Sequence, residues 1–262
     1  MKADGMRVWR GLRGGVCAVI ALYLLAPLAI VVAISFSSAP FLRFPPPGIS
    51  LRWYDSLFSD PAWLAAIGNS VTVLIPASIL ATLLGTSSAY ALVRGRVPGA
   101  SVVFACLMLP LVVPAIITAA ALYGVYAGLG LNGTITGLVI GHTVLITPYV
   151  VATVGAALRT LDPMLENAAA TLGAPPWAGF RRVTFPLILP SVLSGLLFAM
   201  VISFDELLVS LFVSTTRTRT VPVLMWSNVR GDFDPTITAI ATLSFALAVL
   251  ALLLDLALRP TA

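Results

Sequence analysis

Six apolar runs, each about as long as a bilayer core is thick, decide what this chain can fold into. They cover roughly 14–36, 67–93, 101–127, 134–157, 187–213 and 236–258. A helix needs about 20 apolar residues to cross a hydrocarbon core of about 30 Å. It also satisfies its own backbone hydrogen bonds there, which a lone strand cannot do. Only 10% of the 262 residues are charged, against about 25% in soluble domains, and the deficit extends along the whole length. The expected fold is all-α: a polytopic membrane protein of six transmembrane helices, forming a single transmembrane domain over 1–262.

The first run begins with Lys2, Arg7, Arg10 and Arg13 and ends near Ser37-Ser38-Ala39, as a signal peptide would. Its apolar stretch exceeds the roughly 7–15 residues of a signal core, so it reads as a retained span. With the N-terminus inside, the inner segments carry ten basic residues (Lys2, Arg7, Arg10, Arg13, Arg94, Arg96, Arg159, Arg181, Arg182, Arg259). The outer loops carry five (Arg43, Arg52, Arg217, Arg219, Arg230). Basic loops stay inside, so both termini are expected on the cytoplasmic side. In the long outer loop 37–66, Trp53, Tyr54 and Trp63 suit the membrane interface, and in 214–235 the run Val221 to Trp226 is expected to form a short helix on the outer surface.

Several chemistries lack their residues. A phosphate-binding Walker loop needs a lysine, and the sole lysine, Lys2, sits in the N-terminal tail. The sole histidine, His142, gives no zinc cluster or nucleophilic triad and reads as a helix–helix hydrogen bond. Cys17 and Cys106 lie in apolar runs and read as buried thiols. The basic residues are scattered rather than clustered as for nucleic acid. Near the end, Asp255 and Arg259 are spaced as an i,i+4 pair.

The longest inner loop, about 158–186, carries the densest local signals. Asp162 is an N-cap residue, Pro163 fits the first helical position and Glu166 the first turn. Ala168, Ala169 and Ala170 favour helix, and Gly173 suits a left-handed C-cap. Pro175-Pro176 opens a second short helix through Trp177, Phe180 and Val183. Pro186 and Pro190 are expected to break the chain again. The result is an elbow with apolar faces beside Arg181 and Arg182.

This stretch resembles the EAA loop of importer-type ABC permeases, with Asn167, Ala168, Ala169, Gly173 and Leu189-Pro190 at the matching positions and Glu166 as the preceding acid. Asn167 departs from the usual Glu. The resemblance implies a type I ABC importer permease whose elbow is a coupling helix docking on an ATPase. The docking residues would be Glu166, Asn167, Ala168, Ala169, Gly173, Ala174, Pro176, Trp177 and Phe180. Ser203-Phe204-Asp205-Glu206 with Ser210-Leu211-Phe212, Thr220-Val221-Pro222-Val223, Met225-Trp226-Ser227 and Asp234-Pro235-Thr236 resemble the spermidine/putrescine permease group. The resemblance implies a small nitrogenous solute, a polyamine such as spermidine or putrescine, with an opine or another amino-acid-derived solute as the alternative. Several members of that group have Pro-Asp-Ile in the third span, where this chain has Pro114-Ala115-Ile116. The implied partners are an ATPase dimer, a second permease, and a periplasmic or surface solute-binding protein at a bacterial inner membrane. ATP and magnesium would belong to the ATPase, with no cofactor on this chain and no enzymatic activity of its own.

For the substrate path, Asp205 and Glu206 are adjacent acids inside an apolar run. An acid at a helix centre costs about 2.5–3.5 kcal/mol and normally faces a cavity or a partner. On one continuous helix they would point to different faces, with Asp205 favoured for the cavity and Ser203 beside it. Trp53 is expected at the outer mouth. Pro110 and Pro114 should kink the third span, and Asn69, Ser70, Ser87 and Ser88 should bind helix to helix. Two rivals remain at this stage: an ion-driven secondary carrier, whose relay would have to use Asp205, Glu206 and His142, and a membrane scaffold, which needs no acid within a span.

Overall fold

The computed structural model describes residues 2–95, 97–230 and 234–258. The helices are α1 (Lys2–Ser35), α2 (Arg52–Ser59), α3 (Pro61–Arg94), α4 (Ala100–Val112), α5 (Ala115–Leu129), α6 (Ile135–Thr160), α7 (Met164–Thr171), α8 (Pro176–Gly179), α9 (Phe185–Asp205), α10 (Leu208–Val213), α11 (Val221–Arg230) and α12 (Thr236–Leu258). A π-turn, Phe180–Thr184, joins α8 to α9. Five stretches are long and apolar enough to cross a membrane: Arg13–Ser35, α3, α6, Pro176–Asp205 and Thr236–Ala257. The bent pair α4–α5 makes a sixth if it counts as one span.

The chain divides into two compact units. The first comprises Met1–Pro61 and Ser227–Ala246. Here the segment after α1 doubles back through an antiparallel bridge between Ser37 and Ile49. The Ser38 N–H donates to the Gly48 carbonyl (3.0 Å) and the Ser50 N–H to that of Phe36 (2.8 Å). Tyr54 shares a hydrogen bond with Ser35 (2.9 Å), and the Arg52 guanidinium lies 4.4 Å over the Trp53 ring. Trp53 is only 7% exposed, so its ring packs within the protein instead of presenting an outer mouth. Trp63, in the other unit, is likewise buried.

The second unit comprises Ala62–Trp226 and the chain from Leu247, with α6 at its centre. Ile146, Val150, Val154 and Leu158, one turn apart on α6, are fully buried. Ala77, Ala81, Gly85 and Ala89 form a buried small-residue stripe on α3. A Cβ on Gly85 would sit 2.6 Å from the Val150 Cβ, while one on Gly195 of α9 would lie 3.5 Å from the same side chain. Small residues at such crossings let backbones approach and gain dispersion contact, which drives helix association where lipid removes the hydrophobic difference.

The third and fifth runs differ from their expected form. The third bends by 104° between α4 and α5, a break rather than a kink. Pro110 stays inside α4, whereas Val113 ahead of Pro114 is extended (φ −72°, ψ 129°). A proline's ring disfavours helical geometry in the residue before it, so Val113-Pro114 is where the ladder fails. The fifth run is interrupted at Glu206-Leu207. Conversely, the chain does not break at Pro186 or Pro190: Pro186 follows the π-turn and Pro190 lies within α9. Cys17 and Cys106 are exposed rather than buried; a thiol is apolar enough to face lipid. Arg96 and Arg259, and with Arg259 the expected pairing to Asp255, lie outside the described residues.

Candidate functional site

The two interrupted spans wall a common cavity. It has a volume of about 590 Å³ and is lined by Pro110, Val113 and Pro114 from the first break, Leu145 and Tyr149 from α6, and Asp205 to Leu208 from the second. Irregular backbone at membrane depth is tolerated where it lines a cavity. Asp205 ends α9 and is exposed. Glu206 is half-buried and its carboxylate is occupied: Oε1 accepts from the N–H groups of Leu208 (3.0 Å) and Val209 (3.1 Å), and Oε2 from that of Ser210 (3.1 Å). These are the orphan donors that open α10. Both acids line the cavity, Glu206 with its carboxylate on the α10 N–H groups and Asp205 exposed. Continuous-helix geometry does not apply to them.

His142 and Ser203 stand behind this wall. His142 is 1% exposed. Its Nδ1 is 2.9 Å from Ser203 Oγ and its Nε2 is 2.9 Å from Ser210 Oγ, with Glu206 Oε2 at 3.8 Å from Nε2. The expected helix–helix hydrogen bond is thus present, and doubled. Ser203 is buried and turned to His142, so it does not line the cavity.

At the other end of this unit the elbow has the capped form its residues call for. Asp162 Oδ1 accepts from the Met164 N–H (2.9 Å). Gly173 sits at φ +83°, where a left-handed C-cap favours glycine. The Gly173 N–H donates to the Ala170 carbonyl (2.9 Å) and the Ala174 N–H to that of Ala169 (3.0 Å), completing a Schellman motif. Asn167, Ala168, Gly173, Pro176 and Trp177 are exposed, with Ala169 and Ala174 half-buried; Leu172 (89%), Met164 (71%) and Trp177 (67%) are the most exposed large apolar side chains of the elbow. Phe180 packs inward, 4.8 Å from the Tyr90 ring of α3 and 5.8 Å from that of Phe185. Glu166 faces inward too. Its Oε1 accepts from Arg94 Nε (3.2 Å) and Thr184 Oγ1 (2.7 Å), while Arg94 Nη2 donates to the Leu161 carbonyl (2.7 Å).

Residues 81–259 match the family model described as binding-protein-dependent transport system inner membrane component. The chain belongs to that family. It is 36% identical over 229 residues to the putrescine transport system permease protein PotI of Escherichia coli (strain K12), covering 84% of this chain and 81% of the relative. It is 34% identical over 248 residues to the spermidine/putrescine transport system permease protein PotC of Haemophilus influenzae, covering 93% and 96%. A solved bacterial ABC transporter involved in the import of the acidic polysaccharide alginate shares the fold, with TM-score 0.73 at 15% identity over 98% of this chain and 97% of that one.

This permease is thus a multi-span transport component of type I importer fold. Within it, the structure brings Asp205, Glu206 and Ser203 to one break and puts Trp53 in the first unit. It adds Tyr149, which the sequence does not single out, and sets Ser210, read there only as part of the Ser210-Leu211-Phe212 motif, against His142. Ser210 lies seven residues beyond Ser203, and nothing in the sequence joins them until His142 comes between.

Proposed function

We propose that this permease forms half of the translocation path of an ATP-driven importer for a small cationic amine, a polyamine such as putrescine or spermidine. The observation that carries this reading is the exposed Asp205 carboxylate in a cavity walled by two broken spans. The relatives named for putrescine and spermidine transport support the same solute class. With Glu206 occupied and Ala115 apolar, Asp205 supplies this chain's charge for an ammonium group. The other ammonium of a diamine would then be met by a second permease. Cations at such a site are held by charge-assisted hydrogen bonds, worth about 1.5–3 kcal/mol each.

In this reading a solute-binding protein delivers the amine from outside and an ATPase dimer supplies the ATP and magnesium chemistry. The exposed elbow face, Ala168, Gly173, Leu172 and Trp177, docks on the ATPase, and both termini lie in the cytoplasm on the side of Arg94, Arg159, Arg181 and Arg182. Transport proceeds by alternating access, in which ATP binding shifts the balance between inward- and outward-open forms.

Asp205→Asn tests the path. In proteoliposomes containing the complete transporter, putrescine uptake should fall roughly tenfold to a hundredfold with normal assembly. Uptake at the original rate would remove Asp205 from the path. ATPase activity stimulated by an opine-loaded binding protein, and not by an amine-loaded one, would move the solute to the alternative class.

A further inference from the structure

The last-turn serine of α9 and the mid-helix serine of α10 lie on opposite sides of the break that carries Asp205, and one imidazole holds both. Two hydrogen bonds of 2.9 Å, one from each nitrogen of the ring, join the two serines across the break. Gly141, beside the histidine, makes the approach possible: a Cβ there would lie 2.8 Å from Val209 Cγ1 of α10. The arrangement is also fully matched in hydrogen bonds. A neutral imidazole offers one donor and one acceptor, and each serine hydroxyl can take either part. At 1% exposure, His142 has no route to the solute.

We propose that His142 is a positioning residue for the cavity carboxylate. By tying Ser203 to Ser210 it fixes the backbone between them, so that Glu206 stays on the α10 N–H groups and Asp205 stays turned to the cavity. This inference rests on reading Asp205 as the path acid, and it assigns specificity for the cargo amine to a side chain that never touches it.

The test uses the complete transporter in membranes, with Cys17→Ser and Cys106→Ser to clear the native thiols and Asp205→Cys as reporter. The probes are cationic aminoethyl methanethiosulfonate and its anionic sulfonatoethyl counterpart. His142→Leu should slow modification of the introduced thiol about tenfold, as expected for losing two buried hydrogen bonds. His142→Asn and His142→Gln, each keeping one of them, should fall between. In the Asp205 background the same series should rank amine-stimulated ATPase activity in the same order. If His142→Leu lowers the yield of assembled protein but leaves its modification rate and stimulated ATPase unchanged, the histidine is only structural and the proposal is overturned. Should His142→Leu fail to assemble, Ser203→Ala and Ser210→Ala each remove one tie, and unchanged rates in both overturn it equally. Slowed modification with Asp205→Asn transporting normally would leave the positioning intact and defeat the cargo reading instead.

Discussion

Glu206 accepts three N–H groups at the start of α10, and a glutamine there would still offer one acceptor oxygen. Glu206→Ala offers none, and each buried donor left unmatched costs about 1–3 kcal/mol. Glu206→Ala should therefore lower stability by at least about 2 kcal/mol, while Glu206→Gln costs clearly less; thermal unfolding of the purified permease in detergent measures both. Equal melting of the two variants would show that the carboxylate does not cap the break. The sequence places the two acids and marks them as costly, but it does not separate them. An acid ahead of an apolar run is a cap signal in a soluble protein. Within 187–213 that signal is masked, because the run reads as one span. Asn167 is the converse case. Its amide carries no charge to pair, yet Glu166 one residue earlier makes an ion pair with Arg94.

Among the helices, legibility follows whether the cause is local. The elbow is readable because Asp162 and Gly173 act on their own neighbours. The break at Val113-Pro114 is readable as a disturbance, whereas the packing of α5 against α10 beyond it is not. Pro186 was expected to break the chain; the π-turn before it accommodates the ring without ending the helix. The α3 stripe of Ala77, Ala81, Gly85 and Ala89 stands in the sequence at a spacing of four, but α3 alone does not say that Val150 faces it. Gly85→Ala would place a Cβ 2.6 Å from Val150 Cβ and should cost about 1–3 kcal/mol through overpacking. Val150→Ala in the same chain should recover most of that loss. A double variant no more stable than Gly85→Ala alone would place the conflict elsewhere. Thermal unfolding again provides the comparison.

Across the second unit, the elbow and the cavity occupy the two ends of one element. Pro176–Asp205 runs for 30 residues, about 45 Å at helical rise. Arg94 of α3 reaches its lower end through Glu166, whose Oε1 accepts from both Arg94 Nε and Thr184 Oγ1, and it also donates to the Leu161 carbonyl ahead of α7. Reversing one charge, as in Arg94→Glu, should cut amine-stimulated ATPase activity several-fold, and Arg94→Glu with Glu166→Arg should restore part of it. The pair is only partly exposed, 11% and 21%, so solvent screens it less than a surface pair. Failure of the double reversal to recover any activity would show that the Leu161 and Thr184 contacts carry the tie instead.

The π-turn bears on what kind of motion that rod can convey. If Phe180–Thr184 tightened to ordinary α geometry, everything beyond would rotate by about 100° per residue absorbed, and Asp205 would swing out of the cavity. Pro186 opposes this, since it has no N–H for the Arg182 carbonyl and its ring would crowd that oxygen. Pro186 thus favours the wide turn, and with it the present angular setting of α9. If the elbow is the docking face proposed above, a push on it would reach the cavity along a helix whose angular setting this turn defines.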